Sequence, residues 1–125
     1  MSVLHKLKTN VIELNDIDSI IVDEYFEEGY KWNDITYKSG NNKYYIGSYS
    51  TYNYSSSREW MEYNSEIIVL MRISTYGYEI SDPEVIKMFD IKSKQFISGT
   101  KEELYDYYKN KIKKNNKIKS KKIKV

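Results

Sequence analysis

The chain has 125 residues, 40% of them hydrophobic, with no cysteine and a single histidine, His5. This length fits one domain, and the composition excludes disulfides, thiolate-bound zinc, iron–sulfur clusters and cysteine nucleophiles. The net charge of +2 is unevenly distributed: residues 1–108 hold all 18 acids and 11 of the 20 basic residues, a balance of −7, whereas residues 109–125 hold nine Lys and no acid.

The longest apolar run is residues 67–71, Ile-Ile-Val-Leu-Met, which is far shorter than the roughly 18 residues of a membrane-spanning helix. The first eight residues also lack the apolar core of an export signal. We therefore expect a cytoplasmic protein without a membrane partner.

The first half of the chain predicts strands. Residues 10–14 and 19–25 are rich in Ile and Val and are separated by polar turn residues, which indicates one hairpin or one bent strand. Residues 30–38 favour a strand by their Tyr, Trp, Ile and Thr content. The turn-forming residues 39–42, Ser-Gly-Asn-Asn, then lead into an extended segment at residues 43–49, which is the strongest hairpin prediction in the chain.

The middle of the chain predicts a loop, two short helices and a central strand. Residues 50–57 are polar and end in three serines, so a helix capped by serine is expected at residues 58–64. Residues 66–76 contain the 67–71 run, which is typical of a strand buried on both faces. Gly77 interrupts that pattern, and Ser-Asp-Pro-Glu at residues 81–84 predicts a second short helix. Its apolar residues would be Val85, Ile86, Met88 and Phe89.

A C-terminal helix is predicted after a small strand at residues 95–97. Thr100 and Glu103 have capping-box spacing, and four apolar or aromatic residues recur at helical spacing, so the helix should dock on the sheet. These residues are Leu104, Tyr107, Tyr108 and Ile112. The predicted fold is α+β, a mostly antiparallel sheet of about five strands. Residues 1–112 would form the single domain, and residues 113–125, the lysine-rich tail, are expected to be frayed or disordered.

Sequence signatures of catalysis are missing. The chain has no GxSxG, no HExxH and no glycine-rich phosphate loop. Carboxylate pairs such as Asp16 with Asp18, or Glu27 with Glu28, have the chemistry for Mg²⁺ binding or acid–base work, but adjacent surface acids are usually solvated loop charges. His5 is expected to be an ordinary surface residue. We predict a protein that is not an enzyme and that binds no metal and no cofactor.

Acidic and aromatic residues alternate in the first third of the chain. Carboxylates there have the charge to imitate nucleic-acid phosphates, while the aromatic side chains have the size of interface anchors. The predicted partner is the cationic surface of a host protein or ribonucleoprotein complex that handles nucleic acid. The predicted partner-binding residues are Asp23, Glu24, Tyr25, Glu27, Glu28, Tyr30 and Trp32.

Two alternatives use other residues. In the first, the protein binds nucleic acid: lysines neutralise phosphates while tyrosines stack on bases. In the second, a homo-oligomer sequesters a small nucleotide with arginines and aromatic rings. The residues for these alternatives are Tyr45, Tyr49, Arg58, Arg72, Lys113, Lys114, Lys117, Lys119, Lys121 and Lys122. A solubilising extension, or contact between the tail and the acidic body of a neighbouring copy, would use the same lysines.

Residues 11–22 and the segment Lys-Tyr-Tyr-Ile-Gly-Ser-Tyr at residues 43–49 resemble the short sheet-rich proteins of phages and prophages in AT-rich Firmicute-type bacteria. That class includes inhibitors of host defence, anti-CRISPR proteins among them, and sponges for nucleotide signals. The resemblance implies binding and inhibition and assigns no functional residue.

Overall fold

The computed structural model describes residues 4–51, 57–76 and 79–113. Within these ranges the chain forms strands β1 (Leu4–Glu13), β2 (Asp18–Glu27), β3 (Tyr30–Ser39), β4 (Asn42–Ser50), β5 (Ser57–Tyr63), β6 (Ile67–Tyr76), β7 (Glu79–Ile80), β8 (Glu84–Asp90) and β9 (Gln95–Phe96), then helix α1 (Lys101–Tyr108) and a π-helical turn (Lys109–Lys113).

The first sheet is an antiparallel meander with the strand order β1-β2-β3-β4. The β2–β3 turn consists of Glu28 (φ 52°) and Gly29 (φ 83°), the two positive φ angles of a type I′ hairpin. The β3–β4 turn contains Gly40 (φ 59°) between Ser39 and Asn42. For residues 10–25 the sequence left a hairpin or a bent strand open, and the structure has the hairpin. The hairpin expected at residues 39–42 is confirmed.

The second sheet has the order β5-β6-β8-β9, with β7 paired to the far end of β6. Every pairing between the described strands is antiparallel. The central position of β6 confirms the prediction for residues 67–71, because all five are at most 1% exposed. The small strand predicted at residues 95–97 is confirmed as β9.

Two core clusters define three layers. The first lies between the sheets, where Ile20, Tyr37 and Ile46 of the first sheet pack with Leu70 and Phe89 of the second. The second cluster lies on the opposite face of the second sheet, beneath the C-terminal helix. Its members include Val69, Met71, Met88, Tyr108 and Ile112. The second sheet is therefore the middle layer, and among the described residues no further layer covers the other face of the first sheet.

The C-terminal helix forms as the sequence predicts. The Thr100 side chain accepts from the Glu103 amide, and the Glu103 carboxylate accepts from the Thr100 amide, completing the capping box. Leu104, Tyr107, Tyr108 and Ile112 all pack in the second core cluster. The docking is reinforced where Tyr108 Oη donates to Glu62 Oε2 at 2.7 Å.

The helix predicted at residues 58–64 is wrong, because this segment is strand β5. Its successive side chains point to opposite faces of the sheet. Trp60 packs against the second core cluster and Met61 against the first. Pairing with the buried β6 satisfies the backbone groups on one edge of β5, and these cross-strand contacts override the serine cap signal.

The helix predicted after Pro83 is also wrong, because Glu84–Asp90 is strand β8. Val85 and Met88 face the helix layer while Phe89 faces the first sheet, an arrangement made possible by a bulge opposite Leu70 and Met71. The fold remains α+β, but with two sheets and more strands than the expected five.

Three sequence predictions fall outside the described residues: the break at Gly77, most of the loop at residues 50–57, and the tail beyond Lys113. In the described ranges, no helix has the length and apolar character needed to cross a bilayer.

Gly47 determines how closely the two sheets approach. It lies at a bulge in β4 with φ 156°, and a Cβ atom there would come within 2.9 Å of Leu70 Cδ1. Leu70 is 1% exposed, so its side chain would have to shift within the packed core.

We predict that Gly47→Ala lowers the free energy of unfolding by about 1–3 kcal/mol, the usual cost of overpacking a core. Urea denaturation followed by circular dichroism measures the change. Gly99→Ala is the control, because a Cβ there meets Glu103 at 3.4 Å or more. Equal midpoints for the two variants would contradict this account of the sheet contact.

Candidate functional site

The outer face of the first sheet carries its side chains in rows, because each strand contributes every second residue and the register aligns the strands. An apolar row crosses from β1 to β4 as Val11, Ile21, Thr36 and Tyr45. The next row is Thr9, Asp23, Asp34 and Ser48. A third row is Lys6, Tyr25, Trp32 and Ser50.

The second row places two carboxylates directly opposite each other, Asp23 on β2 and Asp34 on β3. Like charges in this position repel, so each carboxylate needs donors of its own. Asp23 accepts from Thr9 Oγ1 at 2.5 Å and lies 3.5 Å from Lys6 Nζ. Asp34 accepts from the hydroxyls of Tyr25 and Ser48. The two acids are thus held by hydroxyl groups and one exposed lysine.

Two open pockets adjoin along this face. Lys6, Asp23 and Asp34 line the first, and Glu28, Tyr30, Trp32 and Ser48 line the second. Tyr25 and Glu27 line both pockets. We define the acidic aromatic surface as Asp23, Tyr25, Glu27, Glu28, Tyr30, Trp32, Asp34 and Ser48.

Tyr25 connects the charged and aromatic parts of the surface. Its hydroxyl donates to Asp34 Oδ1 at 3.0 Å. Partial burial, followed by that bond to a carboxylate, raises the pKa of Tyr25 to about 12. The phenol therefore stays a neutral donor at physiological pH and adds no further negative charge.

Six of the seven predicted partner-binding residues belong to this surface, but Glu24 does not. Residues 23, 25 and 27 point outward, so alternation directs Glu24 to the inner face, where it is 7% exposed. Lys31 Nζ lies 2.7 Å from Glu24 Oε1, and Asn10 Nδ2 donates to Oε2 at 3.1 Å. Lys8 Nζ is 3.4 Å away. Glu24 is therefore held by three side chains of the first sheet and does not contribute to the acidic aromatic surface.

The ion pairs at Glu24 shift its titration. The hydrogen bond from Lys31 is the largest influence and lowers the pKa of Glu24 below its ordinary 4.5, with burial acting in the opposite direction and Lys8 adding to the lowering. The carboxylate is thus ionised in the folded protein at neutral pH.

The two tyrosines of the nucleic-acid alternative lie on opposite faces of β4. Tyr45 is 57% exposed on the outer face, whereas Tyr49 packs against the core between the sheets. Simple alternation would place both tyrosines on one face, but the bulge at Gly47 adds one residue between them. Tyr45 and Tyr49 therefore point to opposite faces of the sheet. They do not form one stacking platform.

The arginines of the alternatives are also separated. Arg58 is exposed and pairs with Ile73, whereas Arg72 pairs with Glu59, the next residue of β5. Neighbouring residues of a strand point to opposite faces, so the two arginine side chains leave opposite faces of the sheet. Arg72 Nε donates to Glu84 Oε1 at 2.8 Å. The backbone of Lys113 ends the π-helical turn. Lys114, Lys117, Lys119, Lys121 and Lys122 lie outside the described residues.

Four residues that form the opposed carboxylate pair or contact it were not predicted as site residues: Lys6, Thr9, Asp34 and Ser48. Asp34 was detectable, because it lies two residues beyond Trp32 on the same strand face. The others depend on strand register. Within residues 4–51, 57–76 and 79–113, no group of three or more His, Asp or Glu side chains is arranged to hold a metal ion.

Comparisons with protein-family models, curated proteins and solved structures find no match to this chain.

We predict that Glu24→Gln lowers the free energy of unfolding at pH 7 by about 1–3 kcal/mol, the usual contribution of a hydrogen bond to a charged group. Because the folded-state pKa is depressed, the contribution of the carboxylate is fully present above pH 4.5 and is lost as the pH falls through the folded-state value. Urea titrations at about pH 7 and pH 3 should therefore show the difference from wild type shrinking at low pH.

Glu28→Gln is the matched control, since it removes the same charge from an exposed turn position. It should leave the midpoint at pH 7 nearly unchanged. A difference between wild type and Glu24→Gln that is as large at pH 3 as at pH 7 would show that ionised Glu24 is not the stabilising species.

Proposed function

We propose that the protein is a non-catalytic binding protein whose acidic aromatic surface occupies a cationic site on a protein or ribonucleoprotein complex that handles nucleic acid. The observation that carries this proposal is the gathering of four carboxylates and three aromatic side chains around two adjoining pockets on one open sheet face. The carboxylates are Asp23, Glu27, Glu28 and Asp34, and the aromatic residues are Tyr25, Tyr30 and Trp32.

The charge balance of the surface favours a cationic partner. Among the described residues, the pocket walls contain one cation against four carboxylates: Lys6, whose side chain is 68% exposed. Asp23 and Asp34 face each other across two strands, so an arriving guanidinium or ammonium group would relieve their repulsion. Nucleic-acid-handling proteins present such groups in clusters.

The aromatic side chains supply contact area at low entropic cost. Tyr30 and Trp32 have ring centroids 6.4 Å apart with a tilt of 59°, and both are partly exposed. Aromatic rings of this kind anchor interfaces, and they also accept cations over their faces. The surface therefore combines anchors with charges that match arginine and lysine.

The position of the surface on paired strands also favours binding. Six of its eight residues lie on β2 and β3, which pair along ten consecutive positions and are joined by a two-residue turn that contains Glu28. Ser48 lies on the adjoining strand β4. A binding face that is already formed loses little conformational entropy on association. The identity of the partner as a host defence complex, of the CRISPR type, stays a prediction from the resemblance to phage proteins.

The proposal predicts that reversing two charges at the hairpin tip weakens binding. The full chain is used to capture its partner from a nuclease-treated host extract, and the purified partner is titrated with wild type and Glu27→Lys/Glu28→Lys. We expect at least a tenfold loss of affinity, about 1.4 kcal/mol, because cationic groups of the partner would then meet like charge. Nucleic acid should compete with the wild-type protein for the same partner.

Glu13→Lys is the control, because Glu13 is exposed at the opposite end of the same sheet. Its affinity should stay within about twofold of wild type. Glu24 must be left intact in all variants, since changing it would disturb the fold. Unchanged affinity in the doubly reversed variant, with its circular dichroism preserved, would exclude the acidic aromatic surface as the binding face.

A further inference from the structure

The same chain contains both a cationic segment and the surface that would bind one. From Lys113 to Lys124 there are seven lysines and no acid. The acidic aromatic surface offers Asp23, Glu27, Glu28 and Asp34 in return. Every copy of the protein therefore contains both of these oppositely charged parts.

Lysine already pairs with aromatic rings elsewhere in this fold. Lys87 Nζ lies 5.5 Å from the ring centroid of Phe96, and Lys109 Nζ lies 5.3 Å from that of Tyr105. Lys111 Nζ is 5.7 Å from the Tyr107 ring and 3.7 Å from a Glu66 carboxylate oxygen. Lys109 and Lys111 are thus engaged within their own body, and the lysine-rich tail contributes the seven lysines that follow, from Lys113 to Lys124.

The tail starts far from the acidic aromatic surface of its own copy. Ile112 is buried beneath the second sheet, and Asn64 Nδ2 donates to the Lys111 carbonyl at 2.9 Å, which fixes the π-helical turn in the helix layer. The acidic aromatic surface lies on the far side of the first sheet. The whole thickness of the three layers separates the two.

Chain length then favours a second copy over the same copy. Lys124 is eleven residues beyond Lys113, a fully extended reach of about 40 Å. The path around the molecule crosses two layer spacings of about 10 Å and two or three strand spacings of about 4.8 Å. Only the last lysines would arrive at their own surface, whereas the complete tail can lie on the surface of a neighbour.

We propose that the lysine-rich tail of one copy binds the acidic aromatic surface of a second copy, and that reciprocal exchange of tails gives a salt-sensitive dimer. The dimer would cover the surface that the proposed function assigns to an outside partner. A regulatory role for the dimer rests on that proposed function, whereas the dimer itself does not. Self-association would then block binding of the outside partner until a more cationic partner displaces the tail.

The experiment is sedimentation equilibrium of the full chain alone, without any partner. At about 20 mM salt and about 100 µM protein we expect dimers, and at about 500 mM salt monomers, because screening removes the contact between exposed charges. Neutralising three tail charges with Lys119→Gln/Lys121→Gln/Lys122→Gln should raise the dissociation constant at least tenfold.

The matched control is Lys38→Gln/Lys43→Gln/Lys92→Gln, which removes the same total charge from the body. It should dimerise as well as wild type or better. The proposal would be overturned if the wild-type protein were monomeric at low salt and about 100 µM. Binding of each tail to its own copy would also give monomers and would equally overturn it. So would equal weakening by the tail and body variants.

A mixing experiment tests the exchange itself. Glu27→Lys/Glu28→Lys keeps a normal tail but has an impaired surface, while the tail variant keeps a normal surface. Each alone should be monomeric, and an equimolar mixture should regain association, because one intact surface meets one intact tail. No gain on mixing would refute binding between copies, but it would leave the partner-binding proposal standing, since that is tested with the purified partner.

Discussion

Residues 67–71 of β6 form five consecutive apolar positions, and such a strand is stable only when both faces of its sheet are covered. The first sheet covers one face and the C-terminal helix covers the other, so all five side chains are at most 1% exposed. This requirement sets the order of the layers. It also leaves the outer face of the first sheet without a covering layer in the part of the chain that the structure describes, and that is where the acidic aromatic surface lies.

Alternation on β2 then separates two kinds of carboxylate that are neighbours in sequence. Asp23 and Glu27 point outward, where Asp23 accepts from the Thr9 hydroxyl. Glu24 points inward, where the Lys31 ammonium compensates its charge and Asn10 donates a hydrogen bond to it. The inward carboxylate stabilises the sandwich, and the outward ones provide binding charge. A row of acids in the sequence therefore has two physical roles, assigned by a period of two residues.

Local signals predicted those elements in which turn chemistry and patterning agree: the hairpin at residues 39–42, the central strand and the capped C-terminal helix. They were misleading for β5 and β8, where serine and proline caps suggested helices but pairing with β6 determined the structure. The inward position of Glu24 could have been predicted from strand alternation alone, because Asp23 and Tyr25 on either side of it point outward. The separation of Tyr45 from Tyr49 could not be predicted, because it follows from a register shift near Gly47 that strand alternation does not indicate.

Hydroxyl-radical footprinting of the full chain, free and bound to its captured partner, tests the central claim most directly, because the aromatic side chains serve as probes across the molecule. Oxidation of Tyr25, Tyr30 and Trp32 should fall on binding. Tyr63, on β5 and 40% exposed, should be oxidised equally in both states. Protection of Tyr63 with no change at Trp32 would place the binding face on the second sheet and contradict the account.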